Sequence, residues 1–158
     1  MTAFVRARRL ANLVNLSTPL GLLIAAVSKT PLQKGVHGLT FGTNYRPALP
    51  HARAFTVGNV VFFRSAEPDE ALIGHEAKHA TQYSLCLGLP FFPLYFAGAA
   101  WSWWRTGEAG SRNPFERWAG LAEGGYRERE TIQRFSRLFE KLHRQDRTQL
   151  WRPATPSQ

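Results

Sequence analysis

The sequence predicts a small α+β domain, mostly helical, in which a short β-hairpin or sheet packs on one central helix. Residues 54–63 read Ala-Phe-Thr-Val-Gly-Asn-Val-Val-Phe-Phe. This run of β-branched and aromatic residues around a Gly-Asn pair is typical of a hairpin or a bulged strand. Helix-start signals follow it directly. Because 158 residues fit one domain, we assign residues 1–152 to a single domain and residues 153–158 to a flexible tail.

The N-terminal third is expected to contain two helices and one strand. Basic residues precede the apolar run Leu13–Val27, which a Ser-Thr-Pro sequence at 17–19 interrupts. Such a sequence is typical of a helix start, so we predict one helix before it and a buried helix from it to about Ser28. Val36–Phe41, bounded by glycines, is predicted to be a short strand, and a proline-rich turn follows at 44–50.

The central helix is predicted to run from about Asp69 to Tyr83, after a proline and several capping residues. The next segment, Leu85–Trp104, holds 20 consecutive uncharged residues and is long enough to cross a bilayer. Prolines interrupt it, and it ends in tryptophans, which favour membrane interfaces. We therefore leave open whether this segment is buried, re-entrant or inserted in a membrane.

Two helices are predicted for the C-terminal part. Asn113-Pro114 places a good cap before a proline at the first helical position, and Gly124-Gly125 is expected to end that helix. A long charged helix is predicted from Tyr126 to about Leu150. Its apolar stripe consists of Ile132, Phe135, Leu138, Phe139 and Leu142.

The charge distribution limits the partners that we expect. The net charge is +9, and the first 66 residues contain no Asp or Glu. This basic half suits an anionic membrane surface, whereas no recognisable nucleic-acid module accompanies it, so we do not expect a nucleic-acid partner. The single cysteine, Cys86, excludes an intramolecular disulfide framework and a cysteine-based zinc site. We expect a cytoplasmic protein, with membrane association left open.

One pentapeptide, His75-Glu76-Ala77-Lys78-His79, indicates a metal site. Positions four apart lie on one face of a helix, so His75 and His79 can present two imidazoles to one Zn²⁺, while Glu76 can reach a water on that ion. The alternative is that both histidines are polar residues on a half-exposed helix face, with Glu76 as a surface charge.

Catalytic zinc takes three protein ligands, so a third must come from elsewhere. The candidates are His37, His51, Glu108, Glu116, Glu123 and His143. We favour Glu116, because the return of the chain after the apolar segment can bring it beside the central helix. Glu123 shares its face and is expected to support the site or to be the ligand itself. Alternatively, Glu116 bonds the backbone of Asn113 in a capping box.

These residues carry a family resemblance. A Thr-x-Gly-Asn strand, a His-Glu-x-x-His-x-x-Gln helix and a later Phe-Glu-x-x-Ala segment together resemble an HExxH metallopeptidase-like domain of bacterial proteins, including core domains associated with contractile injection systems. The resemblance implies a zincin-like fold of the gluzincin type and a Zn²⁺ cofactor. It also implies roles for five residues: His75, His79 and Glu116 as ligands, Glu76 as catalytic base, and Gln82 as a supporting residue.

The chain departs from this family at two positions. Related sites carry an acidic residue four positions after the ligand glutamate, where this chain has Gly120, and Lys78 places a cation on the motif helix. We therefore expect a zinc-dependent metallopeptidase acting on a peptide or protein. A non-catalytic membrane-associated or assembly protein that keeps a structural metal, or only the fold, is the alternative. The sequence defines neither the substrate nor the oligomeric state.

Overall fold

The computed structural model describes residues 2–132, which form five helices and one four-stranded sheet. The α+β prediction is confirmed. The predicted tail at 153–158 and the part of the apolar stripe after Ile132 lie outside the described residues. The elements are α1 (Ala3–Val14), α2 (Ser17–Val27), β1 (Leu32–Lys34), β2 (Thr40–Gly42), β3 (Ala54–Val57), β4 (Val60–Phe63), α3 (Glu70–Leu85), α4 (Phe91–Thr106) and α5 (Pro114–Ala119).

The sheet has the strand order β1-β2-β4-β3, with β2 parallel to β4 and the other pairs antiparallel. Helices cover both of its faces, so every residue of β4 is buried. Val61 and Phe63 pack toward α3 with Leu72, whereas Val60 and Phe62 pack on the other face toward α2. The strand β3 lies at the edge of the sheet, directly against α3.

The Gly-Asn pair between β3 and β4 forms a tight hairpin turn, one of the two predicted alternatives, rather than a bulge within one strand. Gly58 adopts a φ of 65°, and a Cβ atom at this position would lie 2.3 Å from the Thr18 backbone nitrogen. Only glycine therefore lets the turn approach α2. The Asn59 backbone and side-chain nitrogens both donate to Thr18 Oγ1 at 3.1 Å, which fixes the hairpin against the start of α2.

The strand predicted over Val36–Phe41 is wrong in extent, because residues 36–39 form the turn of a hairpin between β1 and β2. His37 and Gly38 both have positive φ values, and the Gly35 nitrogen donates to the Leu39 carbonyl at 3.0 Å. The sequence reading therefore missed β1, which is only three residues long and fully exposed.

Two C-terminal predictions are also wrong in extent. The helix α5 ends at Ala119 rather than at Gly124-Gly125, because Gly120 adopts a φ of 98°. Residues 126–132 are not helical. Two hydrogen bonds of 2.7 Å hold this segment against the rest of the fold instead. The Arg129 nitrogen donates to Ser111 Oγ, and the Ile132 nitrogen donates to the Arg105 carbonyl.

The apolar segment after α3 is broken in two. A tight turn at 86–90 separates α3 from α4, and Pro90 precedes the first residue of α4. The chain thus reverses direction and brings α5 back against α3. Within residues 2–132 no single helix is both long and apolar enough to cross a membrane, and α1 and α2 meet that criterion only as a pair bent by 71°.

Candidate metal centre

Three side chains from two helices converge on one point. His75 and His79 lie one turn apart on α3, and Glu116 comes from α5. The His75 and His79 Nε2 atoms are 3.0 Å apart, and Glu116 Oε2 lies 3.2 Å from the first and 3.6 Å from the second. All three residues are buried, Glu116 with only 2% of its surface exposed. The alternative of a half-exposed histidine face is therefore wrong.

The protonation of both imidazoles follows from their outer contacts. His75 Nδ1 lies 2.9 Å from the Gly120 carbonyl oxygen, which only accepts, so this nitrogen is the donor. Gln82 donates through Nε2 to the Phe115 carbonyl at 2.8 Å, which turns its Oε1 toward His79 Nδ1 at 2.7 Å. His79 Nδ1 is therefore also a donor, and in the neutral rings both Nε2 atoms present lone pairs to the centre.

The centre therefore holds three acceptor atoms and requires a cation. Glu116 Oε2 is fully buried without a hydrogen-bond donor. Burial would raise the pKa of this carboxyl, but His75, His79 and Tyr95 outweigh it and lower the pKa to about 2. Burial would likewise lower the pKa of His79, but Glu116 and Glu76 raise it. Either an added proton or a metal ion satisfies this arrangement.

The donor set fits a divalent metal. Two neutral imidazoles and one carboxylate are a ligand set that zinc takes in hydrolytic sites. Tetrahedral zinc with bonds of about 2.0–2.1 Å holds its ligand atoms about 3.3 Å apart. The three observed separations, 3.0, 3.2 and 3.6 Å, bracket that value. The group of His75, His79 and Glu116 is thus able to hold a metal ion, with all ligand atoms within 4.8 Å of one another.

Three side chains of α3 position Glu116 by hydrogen-bonding to backbone carbonyl groups in α5 and at its C-cap. Gln82 binds the Phe115 carbonyl and His75 binds the Gly120 carbonyl, as described above. In addition, Lys78 Nζ donates to the Ala119 carbonyl at 2.9 Å. Carbonyls at a helix C-terminus lack helical partners and carry partial negative charge, so a lysine there is favourable. Lys78, at which this chain departs from the sequence pattern that it resembles, therefore helps to hold α3 and α5 together.

The capping-box alternative for Glu116 is wrong. Asn113 caps α5 as predicted, since its side chain accepts from the Phe115 nitrogen at 3.1 Å. However, the Asn113 nitrogen donates to the Gly110 carbonyl at 3.0 Å, and the Glu116 carboxylate points toward the histidines. The other carboxylate oxygen of Glu116 accepts a short hydrogen bond from the Tyr95 hydroxyl.

Tyr95 is the site residue that the sequence reading missed. It lies on α4, within the segment that composition marked only as apolar, and its hydroxyl also interacts with Tyr126. Burial, followed by Glu116, raises the pKa of Tyr95, so its hydroxyl remains a donor. A lone tyrosine in an apolar helix gives no signal in the sequence, because only the fold brings it to Glu116.

Glu76 lies beside the three converging residues, held by the edge strand. The Thr56 hydroxyl on β3 donates to Glu76 Oε2 at 2.6 Å. Burial raises the pKa of the Glu76 carboxyl, against the opposing effects of His79, Thr56 and His75. The threonine of the Thr-x-Gly-Asn sequence therefore orients Glu76, while its glycine and asparagine build the turn.

The remaining candidates lie apart from this centre. Glu123 is exposed, and its carboxylate lies beside Gly120; its supporting role stays a prediction. His37 lies in the β1–β2 turn, and Glu108 pairs with Arg129 at 2.8 Å. His51 lines an open cleft of about 510 Å³ near the start of α3, which contains none of the converging residues. His143 lies outside the described residues.

Part of the chain matches a known protein family. Residues 47–85, about a quarter of the chain, match the family model described as the eCIS core domain. The match fits the resemblance to domains associated with contractile injection systems. It includes the β3–β4 hairpin and all of α3, with His75, Glu76, His79 and Gln82, and it ends before Glu116. No curated protein and no solved structure match the chain.

Proposed function

We propose that this protein is a zinc-dependent metallopeptidase of the His-Glu-x-x-His type. The observation that supports this most is the meeting of two Nε2 lone pairs and one buried carboxylate oxygen within 4.8 Å. His75, His79 and Glu116 would hold the ion. When bound, zinc would acidify a water molecule and polarise the carbonyl of the scissile peptide bond.

The residues around the ligands support a hydrolytic role. Glu76 is buried, its carboxyl pKa is raised, and it is held by Thr56, so it suits a base that takes a proton from the attacking water. The same carboxyl group would then give this proton to the leaving amine. The strand that carries Thr56 lies at the sheet edge, where an extended peptide can add by backbone hydrogen bonds.

The proposal is tested by replacing the base without disturbing its hydrogen bond. In the Glu76→Gln variant, the amide oxygen still accepts from Thr56, but the side chain no longer takes a proton. We expect stoichiometric zinc in both proteins and a loss of peptide hydrolysis of about 10²- to 10⁴-fold in the variant. Glu70→Gln, an exposed residue in the first turn of the same helix, is the matched control.

The second candidate function is a structural metal site without catalysis. It is favoured because a chain segment covers the metal-binding side chains. Segment 121–125 folds back over the site, and a Cβ atom at Gly124 would lie 2.4 Å from His75 Cε1. A substrate would have to displace this segment. If the wild-type protein holds stoichiometric zinc, cleaves no peptide in a diverse library, and loses stability on chelation, then the structural function replaces the catalytic one.

A further inference from the structure

The helix α1 is inverted with respect to the usual pattern of a surface helix. Its buried residues are Arg8, 4% exposed, and Asn12, which is fully buried. Arg8 donates to the His37 carbonyl at 2.5 Å, and Asn12 donates to the Ala80 carbonyl at 2.7 Å. The large apolar residues point outward instead, and Val14 is 72% exposed. Such an arrangement marks a surface that meets something other than water.

The next helix and α4 repeat this inversion. The buried residues of α2 are Ser17, Gly21 and Ala25, whereas Leu22, Leu23 and Val27 are exposed. In the C-terminal half of α4, Ser102 and Thr106 are buried while Trp101 and Trp103 are exposed, although Phe91 at its start is buried. Small or polar residues inside and large apolar residues outside are the pattern of helices that face lipid.

The apolar ends of α1 and α3 meet at one corner. The backbone at Gly88 lies against Asn15, since a Cβ atom there would be 2.6 Å from Asn15 Cγ. Asn15 also donates to the Tyr83 carbonyl at 3.5 Å. This contact joins the loop between α1 and α2 to the loop between α3 and α4. We call the exposed leucines and valine of these two loops and of the adjoining ends of α1 and α3 the apolar corner: Leu13, Val14, Leu16, Leu85, Leu87 and Leu89.

Two leucines of the apolar corner occupy backbone positions that disfavour leucine. Leu16 has a φ of 66° and is 60% exposed, and Leu87 has a φ of 58° and is 78% exposed. A left-handed backbone costs a branched side chain conformational energy that Gly or Asn would avoid. Leu16 is also the N-cap of α2 and makes no capping bond. Neither leucine is therefore explained by packing or by local conformation.

The charge of the helices that adjoin the apolar corner favours an anionic occupant. Residues 2–66 and 77–107, which contain α1, α2, the corner and α4, include no Asp or Glu. Arg6 is exposed and lies one turn before Leu10 on the outward face of α1, and Lys29 is exposed beyond the end of α2. A strongly basic surface with protruding leucines complements an anionic bilayer, where the side chains enter the interface and the cations meet the headgroups.

From these features we infer that the apolar corner docks on an anionic phospholipid membrane, with Leu16 and Leu87 as the inserting side chains. This inference is independent of the metal centre, because none of the ligands lies in these loops. A second copy of this chain would instead pair the two corners and leave the protein unattached to vesicles.

The test is vesicle co-sedimentation of the full chain, with phosphatidylglycerol/phosphatidylcholine vesicles compared with phosphatidylcholine alone. The Leu16→Asn/Leu87→Asn variant removes both apolar tips, while asparagine tolerates the left-handed backbone, so the fold should be at least as stable. Leu49→Asn is the control, since Leu49 is exposed near the opposite end of the β3–β4 hairpin.

We expect the wild type and the control to bind the anionic vesicles, and the double variant to bind them about tenfold or more weakly, given the apolar area of two leucines. Absence of binding by the wild type, or equal binding by the double variant, would overturn the inference. A wild-type dimer in light scattering that becomes monomeric in the double variant, without vesicle binding, would assign the corner to a second copy instead.

Discussion

His75 Nδ1 donates to the backbone carbonyl of Gly120 at 2.9 Å. In the family that the sequence resembles, an acidic side chain at this position bonds a ligating histidine, whereas this chain has Gly120. Here the main chain at the same position provides the acceptor. Because Gly120 has a φ of 98° and a ψ of 108°, the carbonyl turns out of α5 toward α3. The missing acid therefore does not leave His75 without an orienting partner.

Restoring the acid should consequently damage the site. We predict that Gly120→Asp destabilises the protein by about 1–3 kcal/mol, because an aspartate would be strained at this φ and its Cβ would lie 2.5 Å from the Glu123 carboxylate. Urea unfolding measures this change. Gly120→Ala separates the backbone cost from the charge repulsion, and an aspartate variant as stable as the wild type would contradict both predicted costs.

Tyr95 should hold Glu116 in its metal-binding position. Replacing it by Phe removes the hydroxyl that donates to Glu116 while keeping the ring among its aromatic neighbours. We predict a loss of zinc affinity of about 10- to 100-fold, with the fold retained. A competition titration with a chromophoric chelator measures the affinity. Tyr45→Phe, which removes a hydroxyl bonded to the Leu49 carbonyl, is the control and should bind zinc normally.

The metal-free protein should lose stability as pH rises. The pKa of His79 is raised above its ordinary 6.5, so its contribution is complete below pH 6.5 and is lost as pH rises through the raised value. Zinc affinity should change in the opposite sense, because only neutral His79 binds the ion. Urea unfolding at several pH values, with a chelator and then with zinc, separates the pH dependence of the metal-free fold from that of zinc binding. A His79→Gln variant with an unchanged pH profile would contradict the assignment.

One substitution on the motif helix should stabilise the fold. Gly74 lies inside α3, and a Cβ atom there would meet nothing within 4 Å. We predict that Gly74→Ala raises the free energy of unfolding by about 0.5–1 kcal/mol. Gly58→Ala is the opposite case and should be destabilising, because of its positive φ and its approach to Thr18. Thermal unfolding of both variants measures the two effects. A destabilised Gly74→Ala protein would show that position 74 of α3 has no room for a methyl group.

The parts of the fold that sequence reasoning predicted are those with strong local signals. The Gly-Asn turn, the Asn113 cap and the spacing of His75 and His79 each have a local physical cause, and all three are present. The meeting of Glu116 with the histidines was also predictable, since the prolines after α3 allow the chain to return.

The remaining parts depend on contacts between distant residues. The strand β1 exists only by pairing with β2. Residues 126–132 are held in a non-helical conformation by hydrogen bonds to Ser111 and Arg105. Tyr95 reaches Glu116 because α4 folds back beside α5. The Gly120 backbone carbonyl takes the place of an acidic side chain as the acceptor for His75. Backbone acceptors of this kind cannot be recognised from residue types in the sequence.

We expect His75, His79 and Glu116 to hold one divalent ion together. Isothermal titration of the chelator-treated protein with Zn²⁺, performed on the wild type and on Glu116→Gln, tests it most directly. We predict one zinc per wild-type chain and an affinity at least about 100-fold lower for the variant, with Glu70→Gln unchanged. A wild-type protein that takes up no stoichiometric zinc, or a Glu116→Gln variant that binds as tightly as the wild type, would show that these three residues do not form a metal site.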